Sequence, residues 1–395
     1  MDNKQKKLMW AILIVGIIQM PGLALTPGIN QIKTTAFSGY SLGAIQTALS
    51  VTSLMQPIAA LVAAALVNRR TVTKKGVIIF GLCLLSVDGL LAIIFHTQFW
   101  HLIMLSLILG ISTGCFMSNM FGLLFDNFEP VQRQLVAGYQ TSMINVGGIM
   151  MSLLGGLLAT YMWYGGYLVL FVGLPAAVLI VFTVPNYKVA DVKREKKKVL
   201  GSIHPMVYYY TVINILFMMC YSVCGANLST HIADIGDSSV AGIAVAFQMS
   251  GGVVSGLFFG KLSNKIGDYS IVIALCAIFA GYIMLSLFPT MLVLIFIAVF
   301  IVGMALSIVV PRCIVMVSMF ADDPSTAATA TALVSTFGPS MGAFMSPIVI
   351  TNLTTALFGE STGARYVFVG FLVLAFAVII ALLTMRRNKR EASAN

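Results

Sequence analysis

Apolar residues run in long blocks, each about the length an α-helix needs to cross a bilayer, about 20 residues. Polar residues gather in short stretches between the blocks. The pattern predicts twelve spans. The first six lie near Met9–Ile29, Leu42–Val67, Gly76–Phe95, Phe99–Phe125, Leu135–Tyr161 and Tyr164–Val184. The second six lie near Pro205–Leu228, Val240–Leu262, Tyr269–Phe288, Met291–Phe320, Thr326–Leu353 and Tyr366–Met385. The longest hydrophilic stretch, Pro185–His204, separates the two sets. The expected organisation is therefore a six-helix bundle over 1–184, a cytoplasmic linker over 185–204, a second bundle over 205–385, and a short disordered tail over 386–395. Membrane strands would show short alternating segments instead, so the fold class is an all-α membrane protein.

Composition agrees. The chain is 59% hydrophobic and 9% charged, where a soluble domain would carry roughly a quarter charged residues. The net charge of +10 invites a nucleic-acid partner, but the positions of the cations argue otherwise. They cluster at Lys4, Lys6 and Lys7, from Arg69 to Lys75, from Lys188 to Lys198, and from Arg386 to Arg390. All of these fall on one side if the spans alternate, and the other side holds little beyond Lys33 and Arg365. That bias predicts a multi-pass protein of the plasma (inner) membrane with both termini cytoplasmic and no nucleic-acid partner. The six cysteines lie inside apolar runs with no zinc-site spacing; they read as packing residues, and no metal is expected. The basic start is followed by an apolar run too long for a signal peptide, so it reads as the first span. His96 and His101 read as surface residues of an outer loop.

The stretch Gly260-Lys-Leu-Ser-Asn-Lys-Ile-Gly-Asp268 lies between the second and third spans of the second set. About half a chain length earlier, Leu66, Asn68 and Arg69 answer Leu262, Asn264 and Lys265. The longer copy resembles the loop signature G-x-L-x-D-R-x-G-R of the Major Facilitator Superfamily. The resemblance covers nearly the whole chain. It implies two pseudo-symmetric six-helix bundles that rock about a midplane site, with spans 1, 2, 4, 5, 7, 8, 10 and 11 around a cavity and spans 3, 6, 9 and 12 outside. It also implies a conformational latch at Asn68, Arg69, Gly260, Asn264, Lys265 and Gly267. Asparagine replaces the acid in both copies. It still caps a helix by hydrogen bonding but adds no charge to the dipole, so a weak latch is expected. The fifth span carries Gly147 and Gly155-Gly156 at a spacing similar to the antiporter signature G-x-x-x-G-P-x-x-G-G. Met151 and Ser152 stand where that pattern has Gly-Pro.

Helical spacing of three or four puts residues on one face. On that basis one polar stripe follows Gln19, Gly22, Thr26 and Asn30, and a second follows Gln46, Ser50 and Ser53. Further stripes follow Ser112, Cys115 and Asn119; Ser142, Asn145 and Ser152; Tyr210, Asn214, Tyr221 and Cys224; Gln248 and Ser255; and Thr329, Thr336 and Ser340. Polar groups are costly against lipid, so these stripes are expected either to line a cavity or to join helices. Arg312, after Pro311, either meets an anionic solute with its planar fork or snorkels to headgroups. Asp88 either carries a coupling proton or is a hydrogen-bonded structural acid.

The spans that the resemblance places around the cavity hold no carboxylate for a cationic drug, and no phosphate-binding loop is present. The expected function is gradient-driven transport of a small organic solute, an organic anion such as a carboxylate. Arg312, Asn119, Asn145, Tyr210, Asn214, Tyr221, Gln248, Gln19 and Thr336 are the candidate binding residues. The alternative is proton-coupled efflux of amphipathic drugs through a greasy cavity containing Met218 and Met219. No enzyme activity and no cofactor is expected. The expected partners are the solute, protons as a candidate coupling ion and membrane lipid, with the chain acting as a monomer.

Overall fold

A computed structural model describes residues 3–69, 71–184, 203–320 and 329–394. Among the described residues the regular structure is all helical, with no strand, and twelve helices are long and apolar enough to cross a membrane. They are α1 Asn3–Ala36, α2 Leu42–Val67, α3 Lys74–Ile94, α4 Phe99–Leu124, α5 Tyr139–Tyr161 and α6 Gly165–Thr183, followed by α7 Pro205–Ile232, α8 Ser238–Gly260, α9 Tyr269–Leu287, α10 Leu292–Met319, α11 Thr329–Phe358 and α12 Thr362–Lys389. The linker expected over 185–204 lies mostly outside the described residues. The tail expected to be disordered is not: the last helix runs on to Ala394. That extension matters, because it carries Arg387 into a buried cluster described below.

Helix starts follow capping chemistry. Four N–H groups at each start have no intrahelical acceptor, and a side-chain oxygen supplies one. Ser41 accepts from the amide of Ala44, and Thr73 accepts from that of Gly76. Asp237 accepts from the amides of Ser239 and Val240 at 3.0 and 3.2 Å. At α4 the imidazole Nδ1 of His101 takes the amide of Gln98 at 3.2 Å. This corrects the surface reading of His101. It is buried, because its ring closes the start of α4 and packs on Phe95 and Trp100.

The chain divides into two units. One holds α1–α6 with Gly236–Ala246, and the other holds α7, the rest of α8 and α9–α12. In the first, α4 is the central element, packed on α2 and α3. Glycines let the backbones close: a Cβ added at Gly114 would fall 2.3 Å from the carbonyl of Gln56 on α2. Small residues serve this purpose in bilayers, where lipid is as apolar as leucine. Leu82, Leu85, Leu105, Leu109 and Phe116 fill the buried core of this unit.

In the second unit α9 packs along α12 and against α10, and α7 packs on α11. Tyr282 of α9 donates to the carbonyl of Cys220 at 2.6 Å, accepts from the amide of Cys224 at 3.1 Å, and stacks on Tyr366. Arg365 is fully buried. It donates to Thr354 and Thr355, each at 2.9 Å, and to Asn227, tying α7, α11 and α12 together. Large apolar side chains such as Phe182, Leu257 and Val293 stand outward at 83%, 75% and 70% exposure. So much outward apolar surface suits a hydrocarbon surround and not water.

Candidate functional site

Helix α1 is not continuous. Its regular part ends at Gly16, followed by 3₁₀ turns over Pro21–Ala24 and Thr26–Gly28 and a π-helical turn over Ile32–Ala36. Pro21 and Pro27 cannot donate to the ladder, so the helix is interrupted where they enter. The single stripe expected from Gln19 to Asn30 therefore does not form, because no constant 3.6-residue register connects those positions. Helix α5 supports the interruption. A Cβ at Gly147 would lie 1.8 Å from the carbonyl of Ile17, and one at Gly155 would lie 2.1 Å from that of Ala24. The glycines noted in the sequence thus make room for the interrupted backbone of α1.

Gln19 sits at that interruption, buried, with neither amide atom hydrogen-bonded among the described residues. Gln140 of α5 is also buried and has both amide atoms without a partner among the described residues. Its Cγ lies 3.8 Å from the Cβ position at Gly16, one turn before Gln19. Two amides in this state offer both donors and acceptors to anything that fits beside them. Sequence reasoning missed Gln140, since a lone glutamine well inside the helix that runs from Pro130 to Tyr161 carries no signal of its own. Its helical distance from Asn145 does not put it on the expected stripe.

Helix α11 is interrupted as well, with π-helical turns at Leu333–Phe337 and Ser346–Thr351 on either side of Gly338–Met345. Such turns free carbonyls from the ladder and cluster at functional positions. Asn214 of α7 donates to one of those carbonyls, Val334, at 2.7 Å, while its Oδ1 has no partner among the described residues. Tyr221, one further candidate on α7, is buried with an unpartnered hydroxyl among the described residues. Gln248 of α8 is buried beside Gly225, where a Cβ would lie 3.6 Å from its Oε1. Thr336 lies in the first π-helical turn, half-buried, 3.5 Å from Ser335.

The charged residues assemble elsewhere in the second unit. Arg312 of α10 donates from Nε to Asp268 Oδ1 at 2.7 Å and from Nη1 to Ser263 at 3.1 Å. Tyr210 of α7 donates to Asp268 Oδ2 at 2.6 Å, and Arg387 of α12 meets that same oxygen at 2.9 Å while donating to Tyr210. One carboxylate at the α8–α9 connection thus gathers three helices. Burial alone would raise the Asp268 carboxyl, but the hydrogen bonds from Tyr210 and Arg312 and the charges of Arg387 and Arg312 outweigh it. They hold it below the usual aspartate value. The latch signature therefore does carry a charge, four residues after the position where the family pattern places it. Gly267 makes the placement possible with φ of +59°, a turn that side chains disfavour.

The remaining candidates are scattered. Asn119 and Asn145 each return their amide to a carbonyl one turn back, of Cys115 and Thr141. Ser112, on the stripe with Asn119, donates to Gly81 of α3 at 2.7 Å, and Ser255 donates to Met304 of α10 at 2.8 Å. These hydroxyls join helices. Among the latch positions, Arg69 and Lys265 are exposed, a Cβ at Gly260 would meet nothing within 4 Å, and the side chains of Asn68 and Asn264 lie outside the described residues. The Cβ of Met218 and the backbone amide of Met219 lie 2.8 and 3.0 Å from the Cβ position at Gly342 of α11. Asp88 lies fully buried in the first unit.

The sequence profile of the Major Facilitator Superfamily matches residues 11–346 and, again, 210–395. No curated relative matches the chain. Solved structures do. The D323A mutant of the nucleoside transporter NupG is 16% identical, with a TM-score of 0.74 over 96% of this chain and 99% of its own. A bacterial homolog of the human lysosomal transporter Spinster is 15% identical, with a TM-score of 0.71 over 98% of each. An autoinhibited POT family peptide transporter is 11% identical, with a TM-score of 0.76 over 96% of this chain and 97% of its own. The identities are low, so these likenesses establish the fold and leave the solute open. The chain belongs to the Major Facilitator Superfamily and is a multi-pass secondary transporter.

Proposed function

We propose that the chain carries a small, polar, uncharged organic solute by alternating access, recognised through amide groups. The observation that carries this reading is the pair Gln19 and Gln140, two buried amides without partners at the interruption of α1. A buried unpaired amide costs about 1–3 kcal/mol, and a hydrogen-bonding solute would recover that cost. Interrupted helices are where transporters of several folds hold their solutes. Within the second unit, taken by itself, Asn214, Tyr221 and Gln248 are the polar candidates. Asn119, Asn145 and Thr336 remain secondary candidates.

The anionic solute expected from Arg312 is less well supported. Its Nε and Nη1 are already engaged by Asp268 and Ser263, so an organic anion would have to compete with an existing ion pair. Arg312, Tyr210, Asp268 and Arg387 instead read as the latch, with Gly267 shaping the turn that carries Asp268. For amphipathic-drug efflux the half-buried Met218 and Met219 of α7 remain the candidate contacts.

A thermal-shift panel of the purified chain tests this reading. The probes are uridine, glucose, a dipeptide, succinate and an amphipathic cationic dye. Uridine or glucose is expected to raise the melting temperature, and the rise should vanish in Gln19→Leu; a rise with the zwitterionic dipeptide alone would contradict the uncharged reading. A rise with succinate alone, lost in Arg312→Ala, would restore the anion.

A further inference from the structure

Asp88 is the one acid within the twelve spans. It is 0% exposed, and neither carboxylate oxygen has a hydrogen-bond partner among the described residues. Two other orphan oxygens lie on the helices packed against α3. They are the phenol of Tyr167 on α6, whose backbone carbonyl faces Gly89 next to Asp88, and the hydroxyl of Ser106 on α4. Both the Tyr167 Oη and the Ser106 Oγ are buried without a partner among the described residues.

Among the described residues no cation is paired with the carboxylate. The titratable and charged groups on the elements packed against α3 are few. From α4 they are His101, whose Nδ1 is taken by the Gln98 amide, and Cys115, which faces Gly81 two turns away. From α6 they are Tyr167 itself and Tyr164, which stacks on His96. On α3, Lys74 and Lys75 reach the carbonyls of Gly122 and Val181 at 3.4 and 2.7 Å. They lie some thirteen residues from Asp88, about 20 Å along the axis.

An isolated carboxylate at such a depth is prohibitively costly and neutralises itself. A bound proton does so and turns an acceptor-only group into one donor with a remaining acceptor. That matches orphan oxygens on Tyr167 and Ser106, each able to accept or donate. The surroundings also give the proton something to act on. Ser86, half a turn before Asp88, donates to the carbonyls of Leu170 and Phe171 at 3.2 and 3.3 Å. Those carbonyls belong to a 3₁₀ turn of α6, Val169–Val172, just past Tyr167. Next to Asp88, a Cβ at Gly89 would fall 2.7 Å from the carbonyl of Tyr167. The α3 surface around the acid thus grips the irregular part of α6.

We propose that Asp88, Tyr167 and Ser106 form a proton-binding site, in which the carboxylate takes up one proton, shares it with the two hydroxyls, and releases it when α6 shifts against α3. The site makes protons the coupling ion, a role that rests on the transporter reading, while its chemistry does not.

Infrared spectroscopy of the full chain in lipid tests it. At neutral pH the wild type should show the carbonyl stretch of a protonated carboxylic acid. The band should disappear in Asp88→Asn, move in Asp88→Glu, shift in Tyr167→Phe, and fade as pH is raised. Absence of any protonated-acid band sensitive to Asp88 would overturn the proposal. So would loss of the band when sodium chloride replaces choline chloride at fixed pH, which would mark a sodium site. No arm uses a solute. If none of the five panel probes binds, the solute reading fails and the infrared result still stands.

Discussion

The guanidinium of Arg312 is held by Asp268, Nε to Oδ1 at 2.7 Å, across the connection between α8 and α9. Asp268 is buried, and its second oxygen is shared by Tyr210 and Arg387. Removing a partner from such a pair strands the remaining charges. Asp268→Asn would leave two guanidiniums around a neutral amide, and a loss of about 3 kcal/mol is expected. A double-mutant cycle of Asp268→Asn with Arg312→Gln should be clearly less than additive by thermal unfolding in detergent. Additive losses would mean that the two side chains act independently.

The same carboxylate sets a pH dependence. Its folded value is depressed below that of the unfolded chain. The stabilisation it brings is therefore fully present above the unfolded value, about 4, and is lost as pH falls through the folded value. Melting temperature should be insensitive to this group from neutral pH down to about pH 5 and should drop below about pH 4. In Asp268→Asn the part of that drop due to this group should vanish.

Gln19→Leu and Gln140→Leu separate recognition from folding. Each removes a buried amide without a partner, so stability should be unchanged or slightly raised. Loss of a recognising amide should weaken solute binding by about 1–3 kcal/mol, on the order of tenfold or more in affinity. Melting curves and solute titrations on the same samples check both halves. A variant that loses stability in step with binding would assign the glutamines to structure.

Gly147→Ala tests the support of the interrupted α1. The added methyl would sit 1.8 Å from the carbonyl of Ile17, and backbone cannot yield as a flexible side chain can. Overpacking of this kind costs about 1–3 kcal/mol and at times more. Gly260→Ala, whose methyl meets nothing within 4 Å, is the control and should melt like the wild type.

Much of this was legible in the chain. Apolar blocks set the number and order of the helices, because burying twelve such lengths leaves no other arrangement for the backbone in lipid. The glycines of the fifth span and the two prolines of the first were visible, but not their relation. Contact between Gly147 and Ile17 is a matter of packing between distant helices. Asp268 was in view as the last residue of the loop stretch, yet its partners come from three other helices, the furthest being Arg387. The hydroxyl rows left both readings open, because serine serves helix joining as readily as a cavity. Ser112 and Ser255 show this, each bonded to a neighbouring helix backbone. Gln140 had no periodic companion and surfaced only when its amide was found buried without a partner.

The most direct test is solute uptake by proteoliposomes holding the purified chain, with two uncharged solutes, labelled uridine and glucose, compared side by side with succinate. The account predicts saturable uptake of an uncharged member by the wild type, and its loss in the Gln19→Leu, Gln140→Leu double variant at unchanged melting temperature. Uptake of succinate alone, or uptake of an uncharged member that the double variant retains in full, would contradict it.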